Sequence, residues 1–140
     1  MTPEQVKQIS LSFGRVFPFR RHLVKTFYAE LFRQAPKTRA LFPEDMSGQF
    51  DKLADMLHLI VTQLGTSETF LSEVQALGTR HAHYGAKPEH FEAVGHALLH
   101  SLKEVVPGGL TAAEEEAWGA AYATLSDVMI KAGRHSSSAA

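Results

Sequence analysis

Leu77-Gly78-Thr79-Arg80-His81-Ala82-His83-Tyr84-Gly85 closes a helix with two imidazoles and a glycine stop. Upstream of it Phe70, Leu71, Val74 and Leu77 recur at helical spacing, so one face of this segment is apolar. His81 stands four residues after Leu77 and shares that face. His83, two residues farther on, points about 200° away along a helix. A neutral imidazole is a good metal ligand. Only one of the two histidines can therefore serve a given ion.

Working outward, the rest of the chain also reads as helices with short joints. Thr2-Pro3-Glu4-Gln5 combines an N-cap threonine, a proline at the first helical position and a glutamine that completes a capping box. Val6, Ile9, Phe13 and Val16 or Phe17 follow as a buried stripe, which Pro18 ends or bends. Leu23, Phe27, Leu31 and Phe32 carry a second helix, and Pro36 opens a short helical turn through Leu41. Phe42 to Ser47 reads as a loop, with Ser47 predicted as the cap of a long helix whose inner face is Leu53, Met56, Leu57, Ile60, Val61 and Leu64. Gly65 is predicted to stop it, and Thr66 to Glu68 to give a polar start to the segment that leads to His81. Pro88 begins a further helix (Phe91, Val94, Leu98, Leu99, Leu102, Val105), closed by Pro107-Gly108-Gly109. Thr111-Ala112-Ala113-Glu114 is a second capping box, ahead of Trp118, Ala121, Tyr122, Leu125, Val128 and Met129. No strand pattern competes. Six or seven helices make an all-α fold, expected as one domain over residues 1–133 with a disordered tail over 134–140.

Composition narrows the function classes. Of 140 residues 44% are hydrophobic and 21% charged, near globular averages, which predicts a soluble protein. The 14 basic and 15 acidic residues nearly cancel, which argues against nucleic-acid binding. The absence of cysteine excludes a disulfide framework, a thiolate nucleophile and any cysteine-ligated metal. A metal must take nitrogen or oxygen ligands, and eight histidines are available. The amino terminus carries no leader pattern and no run is long enough to cross a bilayer, so no membrane association and a cytoplasmic location are expected.

Over residues 5–130 the chain resembles the globins. Leu77-Gly78-Thr79-Arg80-His81 is similar to the proximal-histidine stretch of bacterial haemoglobins and neuroglobin-like proteins. Pro36, with Phe42 six residues later, resembles the short-helix proline and haem-stacking phenylalanine of that family. Phe27-Tyr28-Ala29-Glu30-Leu31-Phe32 is similar to the distal second-helix segment of bacterial globins, and Trp118-Gly119-Ala120-Ala121-Tyr122 to the final helix of flavohaemoglobins. The resemblance implies a globin fold, three helices over three around a haem pocket, and haem b (iron protoporphyrin IX) as cofactor. It makes His81, not His83, the iron ligand, places Tyr28 over the iron, and sets Gln49 where myoglobin holds its distal histidine.

These residues suit the chemistry. A hydroxyl or amide donor strengthens the hold on a gas that draws electron density as it binds, and Tyr28 and Gln49 can both donate. Leu53, four residues after Gln49, and Leu57 one turn on are expected to wall the distal side against water. Leu77, Phe42 and Phe91 are the remaining expected apolar haem contacts, and Lys52 is expected either to reach a haem propionate or to be a solvated helix lysine. His96 and His100 stand at chelating spacing, yet Leu98, Leu99 and Leu102 claim the buried side and no third ligand is evident. His22, His58, His90 and His135 read as surface or helix-end residues.

The resemblance implies reversible, high-affinity binding of dioxygen and other diatomic gases, for storage, delivery or scavenging, by a monomer or weak homodimer. Its enzymatic counterpart is nitric oxide dioxygenation, which in flavohaemoglobins uses a fused reductase and here would need a separate one. Two departures from that family stand out: Phe91 replaces a usual proximal tyrosine, and Ile130-Lys131-Ala132-Gly133-Arg134 offers no glutamate.

Overall fold

Thr2 opens the first helix as its sequence requires: Thr2 Oγ1 accepts from Gln5 N and the Gln5 side chain accepts from Thr2 N, each at 3.1 Å. In the computed structural model the backbone is described for residues 2–64 and 68–139, and side chains for 2–64 and 70–134. Helix α1 spans Pro3–Val16, and Pro18 turns the chain through a short 3-10 segment, Phe17–Phe19, into α2, Arg20–Gln34. A second 3-10 segment, Pro36–Leu41, leads to α3, Ser47–Gln63. Then come α4, Glu68–His83; α5, Pro88–Val105; and α6, Ala112–Ala139. The predicted stop at Gly65 and the polar start at Thr66 lie outside the described residues. Helix α6 continues past the Gly133 boundary read from the sequence, and Gly133 itself is buried.

The cap expected at Ser47 lies one residue earlier. Ser47 is the first residue of α3, and the cap position belongs to Met46, whose side chain makes no capping bond. Asp45 supplies the acceptor instead, taking hydrogen bonds from Ser47 N at 3.0 Å and Ser47 Oγ at 2.8 Å. A carboxylate two residues upstream can reach the same backbone donor, so a serine at a helix start does not by itself mark the cap.

Among the described residues six α-helices form two layers, α1, α3 and α4 over α2, α5 and α6, joined where α1 and α4 pack on α6 and α3 on α2. Ile9, Phe13 and Val16 from α1, Leu23, Val24 and Phe27 from α2, Ala97 and Leu102 from α5, and Ala117 and Trp118 from α6 share one core. Burial brings polar groups in only where they are paired. Trp118 Nε1 donates to Ser12 Oγ at 2.8 Å, and that hydroxyl donates in turn to the backbone of α1. Arg15 grips the buried Glu114 carboxylate through two nitrogens, at 2.8 and 2.9 Å, tying α1 to the first turn of α6. On α2 the buried Glu30 accepts from Arg33 and Gln34 and has His100 of α5 at 3.7 Å. Those hydrogen bonds, Arg33 first, hold the Glu30 carboxyl down at about 2.

Helix α4, which carries His81, lies along α6. Gly78 permits this: a Cβ there would stand 2.5 Å from the Met129 Cα and carbonyl oxygen. Gly133 meets Ala82 one turn farther on, at 3.1 Å for an added Cβ. Gly78→Ala must push backbone from backbone, at the upper end of overpacking costs, about 3 kcal/mol. A fall in Tm of roughly 10 °C is expected for a chain of this size. An unchanged melting curve would show that α4 is not locked against α6.

Candidate functional site

Position and orientation of His81 are both set by backbone. The end of α4 is a Schellman turn: Ala86 N donates to His81 O at 3.0 Å and Gly85 N to Ala82 O at 3.1 Å, with Gly85 at φ +95°. Only glycine takes that conformation without strain. Within the helix, His81 Nδ1 lies 2.8 Å from Leu77 O. A carbonyl can only accept, so Nδ1 carries the proton and Nε2 of the neutral ring presents its lone pair. This bond fixes the ring on the Leu77 side, and Phe91 of α5 lies beside it at 6.4 Å between centroids. His83 is exposed on another face.

A second set of residues comes from α2, α3 and the segment between them. Tyr28 is buried among aromatic rings: Phe27 at 5.0 Å, Phe42 at 5.4 Å, and Phe32 and Phe50 each at 5.8 Å. Gln49 Nε2 donates to Tyr28 Oη at 3.0 Å. The phenol oxygen thus has an acceptor role filled, and its own proton is left for another partner. Burial pushes the Tyr28 hydroxyl above its usual range, against a smaller pull downward from Gln49, so it stays protonated at neutral pH. The structure therefore brings together Tyr28, Gln49 and Phe42, residues that the sequence reading joined only through resemblance. Leu53 is partly buried and Leu57 buried against the same core. Lys52 is exposed on α3.

Beside Leu77 lies a break in the packing. Helices α3 and α4 make at most marginal contact with each other, although each packs well elsewhere. Met56, Leu59 and Ile60 of α3 and Phe70, Val74, Ala76 and Leu77 of α4 line a cleft of about 200 Å³ there. Glu73 and Arg80 are its charged lining residues. Sequence reading placed Met56 and Ile60 in the core and passed over Phe50 and Arg80. The available signals were local: Phe50 adjoins Gln49, and Arg80 follows Leu77 by three residues on one helix face.

Three helices over three, with two of them held apart instead of packed together, is an arrangement that makes room for a flat group in the interior, as in the globins. Comparison with known proteins agrees. The family profile described as Globin matches residues 25–129. The flavohaemoprotein of Vibrio cholerae is 30% identical over 111 residues, 77% of this chain and 28% of that protein. The flavohaemoprotein of Bordetella pertussis is 31% identical over 111 residues, with the same coverage of 77% and 28%. Among solved structures, the bacterial globin of Campylobacter jejuni superposes with a TM-score of 0.82 at 24% identity, over 96% of this chain and 97% of that one. An engineered carbene transferase from Rhodothermus marinus does so with a TM-score of 0.88 at 22% identity, over 99% and 97%. The protein belongs to the globin family. It spans little more than a quarter of the length of its flavohaemoprotein relatives.

Globin membership implies a haem, and the residues present fit one. The donor set is an imidazole whose Nδ1 is engaged on Leu77 O, which leaves Nε2 free as the nitrogen that could hold an iron. The side chains that line the cleft beside Leu77 are mostly apolar, which suits a porphyrin, and Tyr28 and Gln49 form a neutral polar pair. No helix among the described residues is long and apolar enough to cross a membrane. Of the other histidines, His96 is exposed and His100 lies 3.3 Å from Glu104 of its own helix. His58 is exposed with its ring against Phe17, and His90 Nδ1 accepts from Lys87 N at the start of α5.

Proposed function

We propose that this globin holds haem b through His81 Nε2 and binds dioxygen reversibly and with high affinity, for storage, delivery or scavenging. The observation that carries the reading is the Gln49 to Tyr28 hydrogen bond at 3.0 Å. His81 would hold the haem, which would supply an iron atom able to bind a diatomic gas. The chain supplies everything that decides how long the gas stays. Leu77 O orients the His81 ring and makes Nε2 more basic. Gln49 polarises the Tyr28 hydroxyl by donating to its oxygen, which makes the remaining proton a better donor. Phe32, Phe42 and Phe50 pack around the Tyr28 ring, and in such apolar surroundings a hydrogen bond is stronger than in water. Leu53 and Leu57 keep water from competing for it.

The neighbour from Rhodothermus marinus, described as derived from a nitric oxide dioxygenase, supports a second reading, nitric oxide dioxygenation with a separate reductase. On the proximal side Phe91 offers no hydroxyl, and its backbone oxygen already accepts from Tyr122 Oη. The chain therefore gives His81 the neutral Leu77 carbonyl as its hydrogen-bond partner. This favours retention of the gas over cleavage of an oxygen–oxygen bond.

Absorption spectra of the ferric, ferrous and oxygenated protein test the proposal. A Soret band, a five-coordinate ferrous form and a stable oxygenated spectrum are expected. Absence of any Soret band after haem reconstitution removes the haem reading, and a six-coordinate low-spin ferrous spectrum removes the open-site reading. Mixing the oxygenated protein with nitric oxide and a flavin reductase separates the two functions: one stoichiometric oxidation marks the carrier, sustained nitrate formation the enzyme.

A further inference from the structure

We propose that two copies of this chain associate about a two-fold axis at the α3–α4 cleft, with their α4 helices antiparallel, so that Glu73 of each copy faces Arg80 of the other. The cleft residues Glu73, Ala76, Leu77 and Arg80 recur at helical steps, and Tyr84 follows one turn later. Tyr84 N still donates to Arg80 O at 3.0 Å, so the helical path reaches it. All five lie within an arc of about 100° on α4. Glu73, Ala76, Arg80 and Tyr84 are exposed, Tyr84 by 68%. Across the cleft α3 adds Met56, Ile60 and Leu59, the last of them 39% exposed. Apolar surface rimmed by charge marks a place where another protein sits.

The charges select a second copy as that protein. Glu73 and Arg80 stand seven residues apart, about 10 Å along the axis, whereas partners on one helix stand three or four apart. Neither makes a hydrogen bond or ion pair with a described residue, while Arg15, Arg20, Arg21, Arg33 and Arg39 are all engaged. In a two-fold interface, if one residue meets a second, that second meets the first. Turned end for end about a point between Ala76 and Leu77, the α4 stripe is its own complement. Glu73 then meets Arg80 twice, and no like charges oppose each other. A partner surface of uniform charge would set like against like at one of the two positions. Ala76 beside the axis lets the helices come close, and Tyr84 of each copy is brought to the Phe70 end of the other. Buried tyrosines of this kind anchor many interfaces.

Sedimentation of the whole protein from about 1 μM to 1 mM tests the pairing, with a reversible dimer in the micromolar range expected for a small interface. Glu73→Arg and Arg80→Glu each create two like-charge contacts and should each weaken association at least about tenfold. An equimolar mixture of these two variants should associate as strongly as wild type, because both contacts in the mixed dimer are again of opposite charge. Neither a role within one chain nor a different partner produces that rescue. Ala76→Arg, which leaves both rim charges in place, should also block the dimer by setting bulk and charge at the axis. A wild-type protein that stays monomeric at 1 mM overturns the proposal and leaves the face to a partner of another kind. A dimer unmoved by Ala76→Arg and by both charge reversals uses another face and overturns it too. Two folded variants that each lose the dimer and do not associate when mixed overturn the antiparallel pairing.

Discussion

Tyr28→Phe is expected to release dioxygen about 10- to 150-fold faster than the wild-type protein, with little change in the rate of gas entry. The range follows from the 1.5–3 kcal/mol that a hydrogen bond to a charged partner contributes, if all of it is expressed in dissociation. Phenylalanine keeps the ring that packs against Phe27, Phe42 and Phe50, so the core loses no volume and the comparison isolates the hydroxyl. The proton at stake is present throughout the neutral range because burial raises the Tyr28 hydroxyl above its ordinary value of 10.0. The wild-type dissociation rate should therefore be flat from pH 6 to 8. Gln49 gains a free amide in the variant, since its Nε2 loses the Tyr28 oxygen at 3.0 Å. Part of the lost interaction can return through that amide, so the double substitution with Gln49→Leu is expected to exceed either single one. Displacement of dioxygen by carbon monoxide in a stopped-flow experiment measures all three rates. An unchanged rate in Tyr28→Phe removes that residue from the gas-binding role.

His81→Ala should abolish stable haem retention. Loss of a hydrogen-bond partner behind a metal ligand weakens metal affinity by roughly 10- to 100-fold, and loss of the ligand itself should exceed that. The fold should survive, because His81 contributes a half-buried ring at the end of α4 while the helix is held by Gly78 and Ala82 against α6. Circular dichroism checks this independently of haem. Added imidazole can enter the space left by the side chain and should restore part of the Soret band. His83→Ala is the matched control and should retain haem normally. If His81→Ala kept a proximal-imidazole spectrum, the ligand would be His83, and α4 would have to turn by about 160° to present it.

Helix boundaries were legible wherever the determinants are local. The capping boxes at Thr2 and Thr111, the prolines at the starts of α1 and α5, and the glycine stop at Gly85 each act within a few residues, and each appears where it was expected. The start of α3 was misplaced by one residue because Asp45 takes both the Ser47 backbone N–H and the Ser47 hydroxyl proton, so that hydroxyl does not cap the helix, and composition does not show this. The candidate site was legible in part for the same reason. His81 and Leu77 are one turn apart and could be read together from helix geometry. Tyr28 and Gln49 are separated by 21 positions and were joined by family resemblance; periodicity alone could not pair them. Arg80 carried no signal that distinguished it from any solvated arginine until the walls of the cleft were in place.

By itself the amino-acid sequence determined an all-α chain, its helix order and a histidine that shares a face with Leu77, since these depend on 3.6-residue periodicity and on caps that act within one turn. Only the tertiary structure decided how close α4 comes to α6, that α3 and α4 stay apart, that Gln49 donates to Tyr28, and that Arg80 lines the cleft while Lys52 does not. Those features are distances between atoms far apart along the chain, and such distances follow from how whole helices pack.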